Sequence, residues 1–173
     1  MSINSQVIYR IRDELIKKRR EQTQASGYYT KKNHDHMCAV LDQSGAPISF
    51  GTNVFNTKPS ITEHAEVQAL RKLMERLGRT TKKLKIDILV VRTNGCNSKP
   101  CDSCIRRMEE LQARFNIRHI YFTHEDESDG IRCVKFCKLV QEPVRHYSSY
   151  ERNIRRRNYL HDCNNRENVF KVC

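Results

Sequence analysis

Two short motifs, His64-Ala65-Glu66 and Pro100-Cys101-Asp102-Ser103-Cys104, lie far apart in the chain and constrain its fold more than any other feature. Together they offer three soft metal donors, His64, Cys101 and Cys104, and one carboxylate, Glu66, that need not be a donor. Donors in separate motifs serve one ion only if the chain returns on itself between them. A structural zinc site usually closes its tetrahedron with four protein ligands, whereas a catalytic one keeps a position for water. Three donors with a spare glutamate therefore predict zinc held at His64, Cys101 and Cys104 to activate water. Zinc lowers the pKa of water from about 15.7 to about 7, and Glu66 is the group that would carry the proton.

The spacing also predicts where these residues sit. Positions three apart share one helix face, so Cys101 and Cys104 can grip one ion from a first turn. His64 falls near a second helix start. Two helix N-termini would then point their positive ends at thiolate and hydroxide, favouring the anionic forms. Other readings exist for each half alone. A Cys-x-x-Cys pair also serves redox chemistry or half of a structural zinc site, and a lone His-x-Glu arises by chance. Pro100 directly before Cys101, and an apolar strand between the motifs, argue against coincidence.

Hydrophobic periodicity supplies the frame. Val7, Ile8, Ile11, Leu15 and Ile16 repeat at helical spacing and predict an amphipathic helix over 5–20. Residues 25–35 read as polar and turn-rich. Strands over 37–41 and 48–52 flank a turn at 43–47, a hairpin signal, and 53–61 reads as a loop. The next helix carries Leu70, Leu73, Met74 and Leu77, with Ser60 and Glu63 resembling a capping box and Gly78 as its stop. Glu66 lies one turn before Leu70 and should face inward. Residues 86–91 are nearly continuous β-formers, as in a central strand covered on both faces. The Cys-x-x-Cys helix is expected to run to about Phe115. Strands over 117–123 and 131–140 follow, joined by an acidic turn ending in Asp129-Gly130. A short helix near 149–160 is a further expectation.

This order, with both motifs, resembles the zinc-dependent cytidine deaminase superfamily, which includes cytidine and deoxycytidylate deaminases, transfer-RNA adenosine deaminases and polynucleotide cytosine editors. The resemblance covers roughly 36–140. It implies an α/β fold of three layers (α/β/α) around a mixed five-stranded sheet. It also implies hydrolytic deamination, with Glu66 catalytic, handing the proton to the ring nitrogen and then to the departing amine. Gly51-Thr52-Asn53 resembles a Gly-aromatic-Asn segment whose asparagine binds the sugar or phosphate side of the substrate, although Thr52 replaces the aromatic. By the same resemblance the backbone around Ala65 and Lys99 would contact the base. Relatives acting on free cytidine end in a direct hairpin, while transfer-RNA and polynucleotide relatives insert a helix and make the last strand parallel. Only residues 125–130 separate the last two predicted strands, too few for a crossover. An antiparallel last strand is therefore expected.

The expected reaction is cytosine to uracil on a pyrimidine nucleoside or nucleotide. Two alternatives stay open: a polynucleotide (RNA or single-stranded DNA) cytosine or adenosine deaminase, and an inactive zinc-stabilised binding module. The net charge of +12 keeps the first open. Its densest runs are Lys17-Lys18-Arg19-Arg20 and Arg155-Arg156-Arg157, near the two ends, and basic runs can meet phosphate backbones through counterion release. The acidic run Glu125-Asp126-Glu127 would repel phosphate if it lay near the site.

Segments are expected at 1–35 (basic helix and linker), 36–140 (deaminase domain) and 141–173 (basic extension). No apolar run approaches the roughly 18 residues of a membrane span, and the first 20 residues hold no signal-like apolar core. Eight cysteines are then expected in a reducing compartment, cytoplasmic or nuclear. The superfamily resemblance also suggests a homo-oligomer.

Overall fold

The computed structural model describes residues 3–26, 36–55, 62–78, 82–93 and 97–142. The elements are α1 (Ser5–Ser26), β1 (His36–Leu41), β2 (Pro47–Thr52), β3 (Val54–Phe55), β4 (Thr62–Glu63), α2 (Ala65–Leu77), β5 (Leu84–Arg92), α3 (Asp102–Glu110), a 3-10 turn (Leu111–Ala113), β6 (Phe115–Thr123), β7 (Ile131–Lys135) and α4 (Phe136–Gln141). Five strands form one sheet in the order β2-β1-β5-β6-β7, and β3 pairs with β4 apart from it. Only β5 and β6 run parallel in the sheet. Their connection holds α3, the crossover that a parallel pair requires. The last strand is antiparallel, as expected, and the turn before it closes at Gly130, whose φ of 70° favours a residue without Cβ.

Both faces of the sheet are covered, which explains the near-continuous apolar runs in β1 and β5. Cys38, Val40, Ile86, Ile88 and Val90 pack with α2, α3 and α4. The alternate residues Met37, Ala39, Leu41, Leu89 and Val91 pack with α1. That alternation is the period of two built into an extended chain. Ile8, Ile11 and Leu15 of α1 are 1%, 2% and 1% exposed. At about 2 kcal/mol for each buried aliphatic side chain, they fasten α1 to the chain's own sheet. Lys17, Lys18 and Arg20 stand on its exposed side.

Several boundaries differ from expectation. The Cys-x-x-Cys helix ends at Glu110, and Phe115 begins β6 instead. There it pairs with Leu84 and is 1% exposed, so burial in the sheet outweighs the helical pattern. The strand expected over 131–140 divides into β7 and α4. In a strand, Phe136 and Leu139 would face opposite sides; three apart on a helix, both reach the α2–α3 side, each 2% exposed. The expected capping box is absent because Glu63 lies in β4 and pairs with Arg71 at 2.9 Å. Part of the expected loop is β3. Residues 27–35, 56–61 and everything beyond 142, including the helix expected near 149–160 and the Arg155 run, lie outside the described residues.

One irregularity falls within the parallel pair. Ile86 faces Ile117 and Ile88 faces Ile120, so β6 carries one extra residue opposite Asp87. This bulge turns Arg118 and His119 onto the same carboxylate. Arg118 donates to Asp87, as do the backbone N–H of His119 (2.9 Å) and, at 3.1 Å, its Nδ1. Asp87 is fully buried, and such a charge is tolerable only when paired and hydrogen-bonded in this way. No helix among the described residues is long and apolar enough to cross a membrane.

Candidate metal centre

The two motifs occupy equivalent positions on two helices. His64 is the N-cap of α2 (φ −75°, ψ 155°) and Cys101 the N-cap of α3 (φ −74°, ψ 165°). Neither makes the side-chain hydrogen bond that usually satisfies a helix start. An N-cap side chain is worth about 1 kcal/mol to its helix. Here both are turned from their own helices toward each other. His64 Nδ1 lies 3.1 Å from Cys104 Sγ and 3.3 Å from Cys101 Sγ. All three donor atoms fall within 4.8 Å of one another, forming the one such cluster among the described residues. Zn–S and Zn–N bonds of about 2.3 and 2.0 Å at a tetrahedral angle separate donors by roughly 3.5 Å. The donor types and spacing therefore fit a zinc ion.

The electrostatics suit a cation. Cys101 and Cys104 are buried, 5% and 2% exposed. The Cys104 thiol, then His64, hydrogen-bond to Cys101 and bring its pKa down to about 5. Cys104 is pushed well above the usual thiol value, first by that same bond and then by burial. Of the two sulfurs, Cys101 is the one biased toward thiolate. Glu66, 4% exposed, sits in the first turn of α2. Burial, the largest influence, raises its pKa, against a lowering by His64 and a hydrogen bond with Cys104. A carboxyl group that is buried beside a metal cluster and biased toward its protonated form is suited to carrying a proton in both directions.

The remaining expected site residues divide. Asn53 follows β2 and meets the start of α2: its Oδ1 accepts the Ala65 N–H at 2.9 Å. It thereby satisfies one of the N–H groups that the start of α2 leaves without a partner inside the helix. Ala65 is fully buried behind it. The Lys99 backbone N–H donates to Asn97 Oδ1 at 2.9 Å, while its ammonium pairs with Glu142 at the end of α4. Lys99 is thus held on the α4 side of the Cys101 turn.

Three residues that frame the site were not assigned a role in the sequence reading. A Cβ on Gly51 would stand 2.0 Å from the Ala65 carbonyl oxygen and 2.6 Å from the Ala69 nitrogen. Gly51 is therefore what allows α2 to lie directly on β2. The sequence signal was present, since Gly51 stands two residues before Asn53. Ser98 and Thr123, each 2% exposed, join the Cys101 loop to the strand ends. Nothing in their local sequence marks them.

Comparison with known proteins shows the family, and one solved structure shows the fold. The profile of the family described as the cytidine and deoxycytidylate deaminase zinc-binding region matches residues 11–122. Among solved structures, the chain is similar to a cytidine deaminase from Burkholderia pseudomallei (23% identity over 73% of this chain and 91% of that one, TM-score 0.52). It is also similar to a cytidine deaminase from Mycobacterium leprae (20% identity, 75% and 97%, TM-score 0.46). A dCMP deaminase from the cyanophage S-TIM5 is a third (14% identity, 76% and 90%, TM-score 0.43). No curated protein sequence matches the chain.

Proposed function

The chain belongs to the cytidine and deoxycytidylate deaminase family and is a zinc-dependent deaminase, and from that premise we propose that it converts cytosine to uracil on a free pyrimidine nucleoside or nucleotide. The observation that carries the reading is the convergence of His64, Cys101 and Cys104 with Glu66 buried in contact with Cys104. In this proposal those three residues hold zinc, which supplies an acidified water at neutral pH. Glu66 would accept the water proton and deliver it to the ring nitrogen as the hydroxyl adds to the amine-bearing carbon; it would then take the proton of that hydroxyl and pass it to the amine, so that C=O forms as the C–N bond breaks and ammonia leaves. The overall balance is one water consumed and one ammonia released. Asn53, fixed by the Ala65 N–H, presents its amide NH2 toward the sugar side of the substrate. The backbone at Ala65 and Lys99 flanks the base.

The preference for a free substrate is supported by the direct β6–β7 connection. The +12 charge supports the polynucleotide alternative. Ammonia release from cytidine, dCMP and cytosine-containing oligonucleotides, measured at low and high salt, separates the two. Turnover of oligonucleotides alone, falling steeply with salt, would overturn the free-substrate reading. Glu66→Gln should retain zinc and lose at least about a hundredfold in kcat. Retained zinc with no turnover of any of these substrates by the wild-type protein would instead favour a metal-stabilised binding module.

A further inference from the structure

We infer that Ser98 and Thr123 are positioning residues of the metal centre, holding Cys101 in place from the ends of two strands; this rests on the zinc site proposed above. The loop between β5 and α3 must deliver Cys101 to the cluster. Three residues before Cys101, the Ser98 side chain enters the gap where the β5–β6 pairing ends. Its hydroxyl donates to the Val90 carbonyl at 2.8 Å. It accepts from the Thr123 N–H at 2.9 Å and from the Thr123 hydroxyl at 2.7 Å. One donor and two acceptor sites are all that a hydroxyl has, so Ser98 Oγ is fully used.

Thr123 matches it. Its hydroxyl accepts from the Arg92 N–H at 3.2 Å while donating to Ser98. Its backbone carbonyl accepts the Ser98 N–H at 2.9 Å. The network ties β5 at Val90 and Arg92, β6 at Thr123 and the loop at Ser98 into one unit. Both side chains are 2% exposed, so water cannot replace a lost partner without opening the site. Two residues further on, Pro100 fixes its own φ and restricts the conformation of Lys99. Little freedom remains between the anchored Ser98 and the Cys101 sulfur. A structural role alone would make these bonds stabilise the fold generally. Their place in the chain, a short rigid tether from one donor, makes them set where that donor sits.

The test uses the full-length zinc protein. Zinc dissociation constants are measured by chelator competition, and absorption spectra are recorded after replacing zinc with cobalt(II). Ser98→Ala and Thr123→Val should each weaken zinc binding about tenfold, the range seen when groups supporting metal ligands are removed. Both should alter the cobalt–thiolate bands. Thr123→Ser keeps the hydroxyl and should return affinity to within about twofold of wild type. Arg118→Ala removes an ion pair on the opposite face of the sheet; it should lower the melting temperature and leave zinc affinity and the cobalt spectrum unchanged. Wild-type affinity and spectrum in both Ser98→Ala and Thr123→Val would overturn the positioning role while leaving the metal site intact. A wild-type protein that takes up neither zinc nor cobalt would instead overturn the site itself and this inference with it.

Discussion

The two ends of the metal centre are held by different means. The α2 end, with His64 and Glu66, is set by direct contact of helix backbone on strand: Gly51 leaves no room for a Cβ beneath Ala65. Around it, Ser49 Oγ donates to the Ala69 carbonyl at 2.7 Å and the Thr52 N–H to Gln68 Oε1 at 2.9 Å. The α3 end, with both cysteines, rests on a shorter helix anchored by Met108 and Ile105. Its loop hangs from hydroxyls at the strand ends. Close backbone packing tolerates no added atom, whereas a hydrogen-bonded loop is sensitive to a lost one. The difference predicts opposite responses to enlarging and to trimming side chains.

The largest effect should come from enlarging the α2 contact. Gly51→Ala places a methyl group against backbone atoms that cannot rotate away, so it should cost about 3 kcal/mol, the upper part of the overpacking range. It should also depress kcat by shifting Glu66. Denaturant unfolding together with steady-state ammonia release measures both; a wild-type midpoint would break the contrast. Trimming at the same end should do less. Asn53→Ala removes the bond to Ala65 and should cost about 1 kcal/mol, as cap losses do. If Asn53 also touches substrate, KM rises beyond what the stability change explains, whereas an unchanged KM would confine it to the cap. Asn53→Asp, which keeps the acceptor, should recover stability.

The smallest effect lies away from both ends, where Tyr9 of α1 donates to Asp129 in the acidic turn. That bond lowers the Asp129 pKa and raises that of Tyr9. A depressed carboxyl pKa stabilises above its unfolded value and loses that contribution as pH falls. A raised phenol pKa stabilises below its unfolded value and loses it as pH rises. The contact should therefore contribute fully between about pH 4 and pH 10 and be lost beyond those edges, as pH passes the lowered Asp129 pKa or the raised Tyr9 pKa. Melting temperatures of wild type and Tyr9→Phe should differ slightly at pH 7, and the difference should shrink as pH falls through the lowered Asp129 pKa; a difference that stays constant to the acid limit of folding contradicts the assignment.

Much of this was legible before the structure. The convergence of His64, Cys101 and Cys104, the inward face of Glu66, the β1–β2 hairpin and the antiparallel ending all follow from short motifs or from spacing. These are local signals. What the sequence concealed depends on partners distant in the chain. Phe115 looks like the next core position of a helix until Leu84 is available to pair with it. Phe136 and Leu139 fit either period, and only the α2–α3 cluster decides between them. Glu63 mimics a capping residue but finds Arg71 instead. Ser98 and Thr123 are 25 positions apart, and polar contacts of that kind leave no periodic trace.

Both donor-bearing helices begin with residues that forgo their own caps. An ion occupying the site would therefore be coupled to folding: it engages the native arrangement and has little to hold in an unfolded chain. At a free zinc concentration one hundred times the dissociation constant, such coupling adds about 2.7 kcal/mol to the unfolding free energy. The melting temperature of this protein should then follow the zinc activity of its surroundings, making heat resistance a readout of metal supply as well as a property of the polypeptide.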